Sequence, residues 1–297
     1  MRLQRLFRTV ITFNPAKGAM PQSFAPSKPS TLVAGARAIV SASDTTEKVR
    51  LAYAISKSWF QRDLSLGTPS RDGHMPDRPG RPDKPELRAP RDMPKRNMGG
   101  TSGRLALLHS LAHIELNAVD LTWDLVGRFA HVRLPRSYYD DWVRVGLEEA
   151  KHFSMLEDRL AKLDACYGDM PAHDGLWQAA QDTGHDLAAR LAIIPLVLEA
   201  RGLDITPPMI KKARDIGDED TAKCLDVIYR DEKNHVAFGA KWFRFLCDRQ
   251  GIRPESAFHE YVRRHFRGSL KPPFNDRARS EAGLTPGFYK PLARLSG

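Results

Sequence analysis

Glu149 and His152 are separated by two residues, and so are Glu232 and His235. A carboxylate and an imidazole three positions apart lie on one side of a helix, where they can share a hydrogen bond or ligate a metal ion. Each pair falls on an apolar stripe. Tyr138, Trp142, Val145, Glu149, His152, Leu156, Leu160 and Leu163 follow steps of three and four residues, one face of an α-helix. Thr221, Leu225, Ile228, Glu232, His235, Gly239, Trp242 and Leu246 repeat the pattern. Each helix therefore turns a carboxylate and an imidazole toward the core. A bare carboxylate there is very costly, so it must be paired or coordinated. With 12 Glu and 10 His in 297 residues, chance gives fewer than one such pair.

Two further glutamates complete the pattern. Glu115 shares the direction of Leu108, Leu111 and Val119, and Glu199 lies in the apolar run LAIIPLVLEARG. Glu115 precedes Glu149 by 34 residues and Glu199 precedes Glu232 by 33, which reads as a duplicated helix pair. One Glu from each of two helices and Glu-x-x-His from each of two others is the ligand list of a carboxylate-bridged dinuclear metal site. Glu115, Glu149, His152, Glu199, Glu232 and His235 are the expected ligands. Imidazole favours iron or manganese over magnesium or calcium. Two iron ions are the first expectation, with manganese or a mixed manganese–iron pair as the alternative. Six protein ligands on two metals leave positions open for water, dioxygen or peroxide.

Neighbouring residues have two readings each. Glu148 and Asp231 point about 100° away from the motifs and are either surface charges or supports for the ligands. Asp120, Asp226 and Arg230 could orient the imidazoles or be surface charges. His109 and His113 are pocket candidates or ordinary packed histidines. Pro195, four residues before Glu199, must break the helix ladder, as a plain kink or as a π-bulge that opens a pocket. Trp123, Tyr138, Tyr139, Trp142, Trp177, Tyr229, Phe238 and Trp242 read mostly as core, with lining a substrate cavity or carrying an electron as the alternatives for one of them.

The elements that must position these residues are helical. Residues 45–62 predict a helix with Thr45 or Thr46 near its N-cap. Arg104–His131, Arg136–Tyr167, Trp177–Arg201 with Gly202 as C-cap, and a segment opening at Asp218–Asp220 and closing at Gly251 predict four long helices. LDITPPMI reads as a loop, with a short helix over 208–215 as the alternative. The expected fold is all-α, a four-helix bundle over 101–250. It is preceded by a basic extension over 1–40 and by a helix plus Pro-rich arm over 41–100. A short helix and C-terminal tail follow over 251–297.

LALLHSLAHIELNAVDL, EEAKHFSMLEDRL, IIPLVLEARGLD and IYRDEKNHVAFGAKWF, with PELRAPRDMPKRNMG and FNDRARSEAGLTPGFY, together resemble the DUF455 family over about residues 40–290. The resemblance implies the ferritin-like superfamily, a four-helix bundle with a di-iron or di-manganese centre. All six ligand positions are filled here. The family's name leaves its reaction open.

Composition narrows the function classes. No run approaches the ~18 apolar residues of a membrane span. Three separated cysteines without a CxxC exclude a disulfide scaffold and a cysteine zinc site, and fit a reducing compartment. The net charge of +10 is uneven. Residues 1–100 hold 18 Lys and Arg against 8 Asp and Glu; residues 101–250 hold 19 against 24. Basic arms flank a mildly acidic middle, either to meet a polyanion or to fold back on it. Met1–Phe13 resembles an organellar presequence; an unstructured terminus, or a true start at Met20, are the alternatives. The expected location is cytoplasmic, or mitochondrial if the presequence reading holds. The leading function is O2-dependent oxidation or hydroxylation of a small-molecule or RNA-linked, anionic substrate. Metal handling is second, and nucleic-acid binding with a structural metal is third. The electron donor and oligomeric state are left open.

Overall fold

The computed structural model describes residues 29–89, 92–93 and 100–293. The presequence-like segment Met1–Phe13 and Met20 lie outside the described residues. The fold is all-helical, and no β-strand forms among the described residues. No helix among them is long and apolar enough to cross a membrane.

Helix α1 (Leu32–Ser41) lies within the stretch expected to be a basic extension, yet its Leu32, Val33, Ala36, Ile39 and Val40 are fully buried. The physical reason is local: LVAGARAIVS carries one charge, Arg37, and an apolar face that must be covered. Helix α2 (Thr45–Phe60) starts one residue earlier in its capping than expected. Asp44, not Thr45 or Thr46, is the N-cap and accepts from the Glu47 N–H at 2.7 Å. Lys48 on α2 donates to the Ile39 and Val40 carbonyls at the end of α1, and its ammonium pairs with Asp120. Among its described residues, the Pro-rich stretch forms a short turn, α3 (Pro69–Asp72), and then reaches across to Trp177 and Asn117. The Asp77 carbonyl accepts from Trp177 Nε1 at 2.9 Å, and Arg81 donates to Asn117 Oδ1 at 2.6 Å.

Helix α4 (Thr101–Arg128) is buried continuously from Glu115 to Gly127 and packs along α5 (Arg136–Ala161). Helix α5 ends six residues before the expected Tyr167. The Ala165 N–H turns back to the Leu160 carbonyl and Asp164 adopts a left-handed φ of 55°. The third predicted helix is broken into four pieces. Helix α6 (Gly175–Asp182) stops at Thr183, and Asp186 caps α7 (Leu187–Ile193) by accepting from the Ala188 N–H at 2.7 Å. Pro195 has no N–H to continue the ladder, and Ile194–Glu199 widens into a π-helical segment. The chain then continues as α8 (Ala200–Asp215), so Gly202 lies inside a helix rather than capping one, and LDITPPMI is helical rather than a loop. Pro207 deprives the Leu203 carbonyl of its usual partner; Asn275 Nδ2 donates to it instead, at 3.2 Å.

Helix α9 (Glu219–Gln250) is capped by Asp218, which accepts from the Thr221 N–H, and ends at Gly251 in the left-handed region, as its sequence predicts. It packs against α5, α7, the π-segment and α8. Gly239 makes the closest of these contacts possible. A Cβ there would stand 2.5 Å from Pro195 Cβ. Helices α10 (Pro254–His265), α11 (Asp276–Glu281) and α12 (Pro286–Tyr289) close the far side. Arg279 anchors them through two hydrogen bonds to buried Asp204 on α8, at 2.8 and 2.7 Å. One apolar core runs from Leu32 to Tyr289.

Candidate metal centre

Helices α4, α5 and α9 deliver their glutamates to one point. One ligand atom each from Glu115, Glu149, His152 and Glu232 lies within 4.8 Å of all the others, and all four residues are buried. This group could hold a metal ion. His235 adjoins it. Its Nδ1 stands 2.9 Å from Glu149 Oε1 and 3.5 Å from Glu232 Oε1. The two imidazoles face each other with ring centres 5.8 Å apart. Glu199 stands outside the group of four, on the last residue of the π-segment, and is only half-buried because it faces a cavity.

Both imidazoles are oriented the same way. His152 turns Nδ1 inward, 3.3 Å from Glu115 Oε2 and 3.4 Å from Glu149 Oε2. Its Nε2 donates outward to Asp231 Oδ2 at 3.2 Å. His235 turns Nδ1 inward, and its Nε2 donates to Glu148 Oε2 at 2.9 Å. The support is crosswise: Glu148 of α5 holds the histidine of α9, and Asp231 of α9 holds the histidine of α5. A carboxylate on Nε2 fixes the tautomer that leaves the Nδ1 lone pair facing the centre and makes it more basic. Lys151 donates in turn to Asp231.

Glu148 and Asp231 thus do the work that the sequence reading offered to Asp120, Asp226 and Arg230. Asp120 pairs with Lys48, and Asp226 with Arg214. Arg230 reaches only Asp231, at 3.4 Å. The signal that could have identified the pair is repetition: an acid precedes Glu149 and Glu232 alike. His113 lines the cavity, held by Tyr167 Oη at 2.8 Å and the His173 carbonyl at 3.1 Å. His109 accepts from the Gly168 N–H at 2.9 Å, a structural contact.

The cluster carries more negative charge than its own side chains compensate. Burial, then the neighbouring Glu149 carboxylate, pushes Glu115 up to about 8. Burial, then Glu232 and Glu149, drives Glu199 well above the usual carboxylate range. Burial and Glu149 also raise Glu232. Burial works in the same direction on Glu149, but His235 and His152 outweigh it and hold this carboxyl low. Burial alone would lower both histidines. For His152 the hydrogen bonds to Asp231, Glu115 and Glu149 reverse that; for His235 the charges of Glu149 and Glu232 do. Protons on the imidazoles and on Glu115 and Glu199 are the available compensation. A divalent cation between the same atoms would replace them.

Four atoms carry the test of fit. Both carboxylate oxygens of Glu149, Oε2 of Glu199 and Nδ1 of His235 are buried without a well-aligned hydrogen bond among the described residues, although Glu149 Oε1 and His235 Nδ1 stand at ion-pair distance, 2.9 Å. Buried polar atoms are seldom left so. Hard carboxylate oxygens and imidazole nitrogens turned to one centre fit iron, manganese or zinc as a donor set. One side of the centre is open. A cavity of about 280 Å³ reaches Glu115, Glu199 and Glu232, walled in part by Ile194 and Leu198 of the π-segment. Pro195 therefore belongs to a π-segment rather than a plain kink.

Fold and site together define an all-helical protein with a buried Glu/His cluster that could hold a metal ion. The chain belongs to the DUF455 family, described as a protein of unknown function, which it matches over residues 41–290. It is also 41% identical over 209 residues to an uncharacterised protein of Haemophilus influenzae, covering 69% of this chain and 73% of that one. No solved structure matches the chain significantly.

Proposed function

We propose that this protein is a dinuclear-metal oxidoreductase built on a ferritin-like four-helix bundle. Helix α4, helix α5, the π-segment with α8, and α9 are the four bundle helices. Glu115, Glu149, His152, Glu199, Glu232 and His235 hold the two ions, iron first and manganese or a mixed pair as the alternative. The observation that carries this reading is a four-residue group close enough to share an ion, beside inward atoms on Glu149, Glu199 and His235 that make no well-aligned hydrogen bond.

When bound, such a metal pair activates dioxygen or peroxide for oxidation of an organic substrate. The chain's own residues set the conditions. Asp231 and Glu148 keep His152 and His235 in the tautomer that presents Nδ1. Leu108, Leu116, Phe153 and Leu156 exclude water from the α4–α5 side. Glu115, Glu199 and Glu232 face the cavity, where a reacting molecule would stand. For a hydroxylation with O2, one oxygen atom enters the substrate and the other leaves as water, so an external donor must supply two electrons and two protons. The cavity favours an organic substrate over iron storage, which needs no such space.

The test is metal content per chain by elemental analysis after anaerobic loading with Fe(II). The double variant Glu149→Ala/Glu232→Ala is loaded beside it, and optical spectra are taken before and after O2. Two irons per chain, absent from the variant, with an oxygen-dependent absorbance change, is the expected result. Equal metal in the two proteins overturns the assignment.

A further inference from the structure

We infer that the molecule oxidised at this centre is hydrocarbon-like, bound in the cavity over Glu115, Glu199 and Glu232, and is neither RNA-linked nor phosphorylated. The inference rests on the metal-centre reading above and adds the substrate class.

The walls are the first observation. Leu111, Ala118, Leu121, Leu225 and Ile228 surround the space between the three glutamates and the surface. Two of the few large apolar side chains left exposed, Ile114 at 39% and Ile205 at 40%, also line it, so the apolar wall continues out to its mouth. A volume of about 280 Å³ holds about ten non-hydrogen atoms at liquid-like density. Pockets of this kind select by shape and apolar contact, with few polar groups to orient the ligand.

The cation on the wall is the second. Arg201 is the single Lys or Arg among the described residues that line the cavity. One end of its guanidinium, Nη1, is committed to Asp204 at 3.2 Å and to the carbonyls of Lys271 at 2.9 Å and Pro273 at 3.3 Å. Nη1 is turned to the C-terminal tail, so a phosphate here would meet at most the remaining donors of a single guanidinium.

Gly202 is the third. It lies inside α8 and lines the cavity, and a Cβ built on it would meet nothing within 4 Å. Glycine is the poorest helix former after proline, and no backbone strain or close packing calls for it here. What it does is leave the passage to Glu199 clear. This also makes it a position where a larger side chain can be added without displacing the core.

The experiment uses the full chain, metal-free, titrated with decan-1-ol by calorimetry, and with adenosine 5′-monophosphate as the phosphorylated probe. Gly202→Phe and, from the opposite wall, Ala118→Trp fill the cavity; Gly202→Ala is the control. Metal content of each is measured in parallel by Fe(II) loading. We expect one decanol per chain and no nucleotide binding. Gly202→Phe and Ala118→Trp should weaken decanol about tenfold or more, while Gly202→Ala leaves it within a factor of about two and Gly202→Phe retains two irons. Binding of the nucleotide in place of decanol overturns the inference, as does decanol binding that both filled variants leave unchanged. Normal iron uptake with no decanol binding rejects the substrate class and leaves the metal reading standing. Decanol binding by a chain that takes up no iron rejects the metal reading, and the cavity is then no substrate site.

Discussion

Two of the groups of buried charges along α4 are built differently. Asp124 is fully enclosed, and every charge near it is answered. Arg190 donates to it at 2.7 Å and Arg128 at 2.8 Å, while Arg190 also donates to Thr183 Oγ1 and the Ala180 carbonyl. Nine residues earlier, Glu115 enters a cluster of four glutamates answered by two imidazoles, with four atoms left without a well-aligned hydrogen bond. The first group closes on itself and ties α4 to α7. The second does not close with the side chains present. A buried ion pair that is complete is a structural device; one that is incomplete in a consistent direction asks for a cation.

The sharpest way to break this comparison is to remove one acid from each group. Glu149→Ala should abolish metal uptake, the largest effect expected, measured as metal per chain. The metal-free form of Glu149→Ala should unfold at the same or higher urea concentration than wild type, because crowding among carboxylates is relieved. Asp124→Ala should do the reverse. It strands Arg190, which is 1% exposed, and should cost about 3–5 kcal/mol in urea unfolding. If Glu149→Ala destabilises the metal-free protein as much as Asp124→Ala does, the two groups are alike and the distinction fails. A smaller effect sharpens the geometry of the open group. Gly239→Ala presses a methyl against Pro195, and overpacking of this kind costs about 1–3 kcal/mol. It should also shift the π-segment that carries Glu199 and lower metal affinity. Loss of stability with unchanged affinity would detach the π-segment from the site.

That prediction also marks where the sequence stopped being readable. Glu149, His152, Glu232 and His235 lie on regular helices, where steps of three and four residues place side chains reliably, and the structure does turn all four inward. The α6–α8 region was not legible in the same way. A π-segment changes the residues per turn, so the direction of Glu199 could not follow from counting. The helix also survives Pro207 because Asn275, 72 residues beyond Leu203, takes over the Leu203 carbonyl. Burial of α1 had a local signal in its apolar face, but basic residues before it masked that signal. The crosswise supports depend on which helix packs beside which. Sequence gave Glu148 and Asp231 the right direction, about 100° off the motif, without saying that the other helix's histidine would be waiting there.

The smallest effect concerns the cavity wall rather than the centre. His113 is buried, and burial, then the nearby Arg81 charge, lowers its imidazole to about 3. It is therefore neutral, with Nδ1 accepting from Tyr167 Oη and Nε2–H directed at the His173 carbonyl. A histidine near 6.5 in the unfolded chain and near 3 in the folded one takes up a proton more readily when unfolded. Its stabilising contribution is thus complete above about pH 6.5 and is lost as the pH falls from there toward 3. Between pH 7 and pH 5.5 the loss from this one residue should be about 1 kcal/mol. His113→Gln retains a donor and an acceptor without titrating. In urea unfolding of the metal-free protein it should therefore show a flatter decline than wild type over that interval. Parallel declines would mean that His113 does protonate in place, and that the wall of the cavity is more polar than its neutral imidazole implies.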